Sequence, residues 1–209
     1  PSQYLADGMF VPIAYDSTSN AIITASRQWG GTYTERENIE KGYAVFNNDK
    51  VKEALTFFQG MANDGLFAVA ETFGESYASN AFKLIKCVMT IGSSAGVGYN
   101  VPEGNKFQIG VAPIPYRDAN AKYVIQQGTN IAILGQSTNI QRSAAWQLIR
   151  FLLSSENTAK FAMATGGYLP VRKSSYETAA YQDYLTNPPV DKINHSMSAN
   201  VGLQYRNTY

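Results

Sequence analysis

The chain has one cysteine and one histidine in 209 residues. A lone cysteine, Cys87, excludes a disulfide within the chain. It sits in the apolar run Leu84-Ile85-Lys86-Cys87-Val88-Met89, where a buried, unreactive thiol is expected. The single histidine, His195, lies in a polar stretch and reads as an ordinary surface residue. The metal-binding patterns HExxH and CxxC are absent, so no metal site is expected. No GxSxG elbow is present, and Gly92-Ser93-Ser94-Ala95-Gly96 lacks the lysine and spacing of a phosphate loop. The carboxylates are scattered, so nothing pairs two of them for acid–base work. No catalytic residue and no cofactor are expected. Charge of one sign is not in excess: 17 basic and 16 acidic residues leave a net +1, which gives no reason to expect a nucleic-acid partner. No apolar run approaches the about 20 residues of a membrane span, and no signal peptide is visible. The opening Pro1-Ser2-Gln3-Tyr4 reads as an excerpt whose upstream part is absent.

What is present is an ordinary apolar fraction, 44%, and a high aromatic load of 14 Tyr and 10 Phe. Rings of this kind build cores and also stack on sugar faces. The pattern predicts a strand over Met9–Ala14, a polar turn at Asp16-Ser17-Thr18-Ser19-Asn20 and a helix over Asn20–Trp29. A short strand is expected at Tyr43–Phe46. Lys50–Asn63 is a helix with Val51, Ala54, Leu55, Phe58 and Met61 on one face. A helix over Ser76–Ile85 and a strand over Val88–Ile91 follow. Further strands are expected at Phe107–Ala112, Tyr123–Ile125 and Asn130–Leu134. Thr138-Asn139-Ile140-Gln141 has the capping-box pattern and opens a helix. Ser155 caps the next helix, and a last one spans Ser175–Leu185. Helices and strands alternate without a repeat period, which is an α/β pattern.

In open α/β sheets ligands sit outside the carboxyl ends of strands, near helix N-termini. Four small, polar segments occupy such places: Tyr15 to Asn20, Gly92 to Gly96, Gly128 to Asn130, and Gly166 to Arg172. Candidate ligand contacts are Tyr15, Asp16, Ser17, Asn20, Ser93, Ser94, Gly128, Thr129, Asn130 and Tyr168, with Arg172 and Arg206 available to an anionic group. Each also has a structural reading, since Ser17 and Thr18 serve equally as helix caps and Gly92–Gly96 as a tight turn. The residues alone describe an α/β binding module.

The stretch Ala164-Thr165-Gly166-Gly167-Tyr168-Leu169-Pro170-Val171-Arg172-Lys173-Ser174-Ser175-Tyr176-Glu177 resembles the TGYLPVRKSAYE segment of family 1 extracellular solute-binding proteins of ABC importers. Other segments resemble the family in its own order, over roughly residues 8 to 186. Trp29-Gly30-Gly31 is similar to WNGG, and Phe82 to Ser94 to F-x-x-G-x-x-AMTIxGS. Ile109 to Pro115 is similar to GVAPLP, Gly128 to Ile133 to GGxNLAI, and Ala144 to Asn157 to AAWEFLKFLTSPEN. Cys87 to Ser94 is closest to glycerol-3-phosphate-binding members, which carry CAMTTASS, and Gln204-Tyr205-Arg206 resembles their QIR. In that subgroup the equivalents of Ser93 or Ser94, Gly128, Tyr168 and Arg206 hold the ligand. The turn Ser17-Thr18-Ser19-Asn20 lacks the tryptophans of that subgroup, and Gly166-Gly167-Tyr168 carries an extra glycine. A polyol phosphate and a neutral sugar therefore both stay open.

The resemblance implies a type II periplasmic-binding-protein-like fold, mainly the second lobe with a segment of the first. Residues 1–108 would be the first part of the second lobe, 109–155 the hinge crossing and first-lobe segment, and 156–209 the return. It implies an extracytoplasmic protein, in the periplasm or on the outer face of the membrane. Its partners would be a sugar or polyol phosphate held in an interlobe cleft and an ABC permease, with membrane contact only through a lipid anchor on the absent N-terminal part. The Ala144–Leu153 apolar face is expected to lack its usual cover. The alternatives are a carbohydrate-processing enzyme domain, in which Asp16 is the one acid of the four turns, and a protein-interaction domain suggested by the tyrosines.

Overall fold

The computed structural model describes residues 10–204. They form two compact units, one built from residues up to 93 with 99–108 and 114–125, the other from 94–98, 109–113 and 126 onward. The first unit runs β1 (Val11–Tyr15), α1 (Thr18–Gln28), β2 (Thr34–Arg36), β3 (Gly42–Ala44), α2 (Asp49–Asn63), β4 (Phe67–Val69), α3 (Ala78–Lys83) and β5 (Cys87–Ile91). The second holds α4 (Asn139–Leu152), α5 (Ser155–Thr165), α6 (Ala179–Thr186) and α7 (Ile193–Leu203). No helix among the described residues is long and apolar enough to cross a membrane.

The sheet of the first unit is parallel, in the order β4-β1-β5. Central strands carry few prolines because proline cannot donate to the ladder. Pro12 is tolerated here because pairing with β4 begins only at Ile13, opposite Phe67. The other side pairs Val11 with Cys87 and Tyr15 with Ile91. Small side chains let α3 close on this sheet: Ala14, Ala68, Ala70, Ala78 and Ala81 are all buried, with Val11 and Cys87 beside them and Phe73 and Phe82 around. Burial pushes the Cys87 thiol up to about 11, as the apolar run around it predicts. α2 starts where expected, because the Asn48 side chain accepts from Val51 N at 3.1 Å and leaves its amide to Thr32 O and Val45 O.

The second unit has an all-helical core. Tyr176, Tyr181, Tyr184 and Leu185 pack with Ala159, Ala162 and Ala199. Tyr181 meets Tyr176 edge-to-face at 5.4 Å. Part of the tyrosine load is thus core. α4 has the predicted capping box, with Gln141 N on Thr138 Oγ1 at 3.3 Å and Thr138 N on Gln141 Oε1 at 2.9 Å. No residue of α4 is buried, and Trp146, Leu148 and Phe151 are exposed.

Several expectations need correction. At Phe107–Ala112, Tyr123–Ile125 and Asn130–Leu134, where strands are expected, the chain forms no strand. β-Branched composition favours a strand only where a neighbouring strand accepts its hydrogen bonds. The strand expected over Met9–Ala14 is Val11–Tyr15, and Met9 lies outside the described residues. The helix expected from Ser175 splits into a 3-10 turn, Lys173–Ser175, and α6. The strand expected at Tyr43–Phe46 is β3, Gly42–Ala44; its hairpin partner β2, the strand β4 and the helix α7 were not expected.

Candidate functional site

Because β1 and β5 are parallel neighbours, the turns that follow them leave the sheet side by side. Asp16 N donates to Ile91 O at 2.8 Å, and a β-carbon placed on Gly92 would lie 3.3 Å from the Asp16 β-carbon. The structure therefore brings the Asp16–Asn20 turn together with Gly92 and Ser93 at the carboxyl edge of the sheet. Ser17 has extended backbone and its hydroxyl accepts from Asn20 N at 3.3 Å, so it caps α1. One carboxylate oxygen of Asp16 accepts from Ala78 N at 2.7 Å. That bond ties the end of β1 to the start of α3, so the one acid of the four turns serves as a backbone cap. Thr18 Oγ1 donates to Glu71 Oε2 at 3.3 Å at the same edge.

Tyr15 sits one layer below. It is 7% exposed, and its hydroxyl donates to Thr24 Oγ1 at 3.3 Å. Burial raises its phenol above the usual tyrosine value. Its ring lines a cavity of about 450 Å³ beneath α1 and α2, with Trp29, Phe57, Phe58 and Phe67. Arg117 lines that cavity too, bonded to Glu53 at 2.9 Å with its guanidinium 5.3 Å from the Trp29 ring centroid. The Lys50 side chain 3.1 Å from Glu53, helped by Arg117, lowers that carboxyl below its usual value. Nothing in the sequence reading singled out this cluster, because its members are far apart in the chain.

The second unit holds the other candidates. Ser94 opens a 3-10 turn, Ser94–Asn100, and is half-buried. Tyr168 is 52% exposed, with its ring 5.8 Å from that of Phe161. The preceding glycines are buried, and a β-carbon on Gly167 would lie 2.8 Å from Ser94 O and 2.9 Å from Ala95 Cα. The extra glycine of Gly166-Gly167-Tyr168 is thus the residue on which two of the four candidate turns meet. Gly128, Thr129 and Asn130 lie in an exposed, unpaired segment. Arg172 is exposed, and Arg206 lies outside the described residues. Among the described residues no cluster of His, Cys, Asp or Glu could hold a metal ion.

Comparison with known proteins agrees with this architecture. No curated protein sequence matches the chain. A solved structure, UgpB from Mycobacterium tuberculosis in complex with glycerophosphocholine, superposes with a TM-score of 0.62 at 20% identity. The match covers 90% of this chain and 46% of that one, so the chain spans about half the length of its structural relative. At this identity the likeness speaks for the fold, an α/β periplasmic-binding-protein-like fold seen in part. The model of one sequence family, described as bacterial extracellular solute-binding protein, matches residues 5–189. The chain therefore belongs to the bacterial extracellular solute-binding proteins, a family of binding proteins that act outside the cytoplasm.

Proposed function

We propose that the chain is the larger part of the second lobe of a receptor that captures a sugar or polyol phosphate and delivers it to an ABC permease. The observation that carries this reading is the adjacency of the β1 and β5 turns at the carboxyl edge of a parallel sheet, the place where open α/β sheets hold ligands. Ser17, Asn20 and Ser93 there supply short hydroxyl and amide groups that suit a polyol, with Tyr15 and Asp16 fixing the turn from below and behind. Ser94 and Tyr168 add a hydroxyl or backbone contact and a half-exposed ring face on which a sugar can stack. Gly128, Thr129, Asn130 and Arg206 complete the contact set, Arg206 answering a phosphate if the solute has one. Residues 109–155 belong to the crossing into the first lobe, which fits α4 having no buried residue.

Glycerophosphocholine is among the solutes to try, since the structural relative is described in complex with it. The test is thermal stability of the intact protein against glycerophosphocholine, sn-glycerol 3-phosphate, maltose and an amino-acid control. A solute at about 100 times its dissociation constant adds about 2.7 kcal/mol, a rise of several degrees. One sugar or polyol phosphate should give that rise, and Tyr168→Ala should abolish it while leaving the unliganded melting point within about 2 °C. No rise with any of the carbohydrates, or an equal rise in the Tyr168 variant, would refute the assignment.

A further inference from the structure

His195, read from the sequence as an ordinary surface residue, occupies a special place in the second unit. Its ring lies against two glycines, Gly98 and Gly166, on two separate segments. A β-carbon on Gly166 would stand 2.8 Å from Nδ1, and one on Gly98 would stand 3.1 Å from Nε2. Gly166 has φ +64°, which disfavours any other residue there in its own right. Beside Gly166, Gly167 bridges the two segments directly: a β-carbon there would stand 2.8 Å from Ser94 O and 2.9 Å from Ala95 Cα. The imidazole is therefore a wedge under both the Ser94–Gly98 turn and the Gly166–Tyr168 turn. The same helix grips the far side of the second turn, where Leu169 Cδ1 would stand 2.5 Å from a β-carbon on Gly202. Nδ1 is buried and has no hydrogen-bond partner among the described residues.

We propose that His195 is a positioning residue for the candidate ligand contacts Ser94 and Tyr168, and that its protonation loosens both turns together. The proposal rests on the solute-binding reading of those two residues. A neutral imidazole fits the site as a shaped, nearly uncharged plug. An added proton would place a second N–H donor against glycine backbone with no acceptor offered at Nδ1, and the ring would have to leave. Burial holds the pKa of His195 below the ordinary histidine value; Lys192 pushes the same way and Asp191 opposes. Other charges around it are sparse. Residues 94–98 and 162–169 carry no Asp, Glu, Lys or Arg, and Tyr168 is their one titratable side chain. α7 has no charged residue besides the histidine, and α6, packed against it, brings Tyr181, Tyr184 and Asp183, the last bonded to Asn187 at 3.0 Å. The sign follows. The unfolded chain binds this proton near pH 6.5, and the folded chain only below that. The wedge is intact above pH 6.5, weakens as pH falls through that value, and levels off beneath the lowered folded pKa.

As the chain's one histidine, its imidazole signal in a proton NMR titration is unambiguous. The test compares hydrogen exchange of residues 94–98 and 166–169 at pH 7.5 and 5.5, corrected for intrinsic rates, in the natural chain and in His195→Gln. Protection of both segments should fall several-fold at pH 5.5 in the natural chain, with the midpoint of the imidazole titration, and should not depend on pH in the glutamine variant. His195→Ala should show low protection at both pH values. Equal pH responses in the natural chain and His195→Gln, or a response in one segment alone, would overturn the proposal. For whichever of glycerophosphocholine, sn-glycerol 3-phosphate and maltose binds the intact protein, affinity should weaken several-fold at pH 5.5 and stay constant in His195→Gln; a pH dependence that survives in the variant counts against it. If none of the three binds, the solute assignment of Ser94 and Tyr168 fails, and the exchange data still decide whether His195 holds the two turns.

Discussion

Ile85 is the one non-glycine residue with positive φ among those described, at +58°. It follows α3 in a Schellman arrangement: Ile85 N donates to Phe82 O and Lys86 N to Ala81 O, both at 2.9 Å. The position after the helix end must be left-handed for these two bonds to form together. Glycine is the usual occupant, and the family pattern that Phe82 to Ser94 resembles has glycine at this place. A β-branched side chain there is a genuine outlier, and the left-handed conformation costs an L-residue about 1–2 kcal/mol. The side chain is 62% exposed, so little burial offsets that cost. Glycine in turn gives up about 0.4–1 kcal/mol through the greater freedom of the unfolded chain. Ile85→Gly should therefore stabilise the protein by about 1 kcal/mol, which for a chain of this size is a rise of about 2–4 °C in melting temperature. Ile85→Val keeps the branch and should leave it unchanged, and Ile85→Asn should fall between. Differential scanning calorimetry of the three variants checks the order. A lowered melting point for Ile85→Gly, or equal values for the glycine and valine variants, would refute the strain argument.

Asp16→Ala removes the acceptor of Ala78 N and should cost about 1–2 kcal/mol, while Asp16→Asn retains an acceptor oxygen and should cost less than half as much by urea unfolding. Equal losses in the two variants would mean that charge, not capping, is what Asp16 contributes. Cys87 should resist a thiol reagent at pH 8 until denaturant unfolds the chain, given its burial and a pKa of about 11. Modification of the native protein on mixing would contradict its place in the core.

α1, α2 and α4 were legible because each is opened by a side chain that caps it, Ser17, Asn48 and Thr138, and the last two begin strong apolar stripes. β1 and β5 were legible from β-branched runs ending in small polar turns, and their adjacency turned two sequence candidates into one neighbourhood. The strand β4 gives no sequence signal because three residues, Phe67–Val69, are too few to show a period, and Phe67 pairs with Ile13, 54 residues upstream. α7 escaped for a different reason. Ile193-Asn194-His195-Ser196-Met197-Ser198 shows no apolar stripe, and no side chain caps the helix. Its buried residues are all small, Ser196, Ser198 and Ala199, and Ser196 Oγ and Asn200 Nδ2 donate to Leu185 O at 3.1 and 3.2 Å. Packing by small residues leaves no hydrophobic signature, so the stretch gives no helical signal in the sequence and His195 reads there as a surface residue. The reverse error, strands expected at Phe107–Ala112, Tyr123–Ile125 and Asn130–Leu134, came from residues that favour extension without a neighbour to pair with.

In the proposed receptor the strand-end turns hold the solute. Hydrogen exchange of the intact protein with and without the sugar or polyol phosphate that raises its melting point tests this directly. Exchange should slow on binding at residues 16–20, 92–98 and 166–169, with the β2–β3 hairpin unchanged. Protection confined to the aromatic cavity beneath α1 and α2, around Trp29 and Phe57, with those turns unaffected, would contradict it.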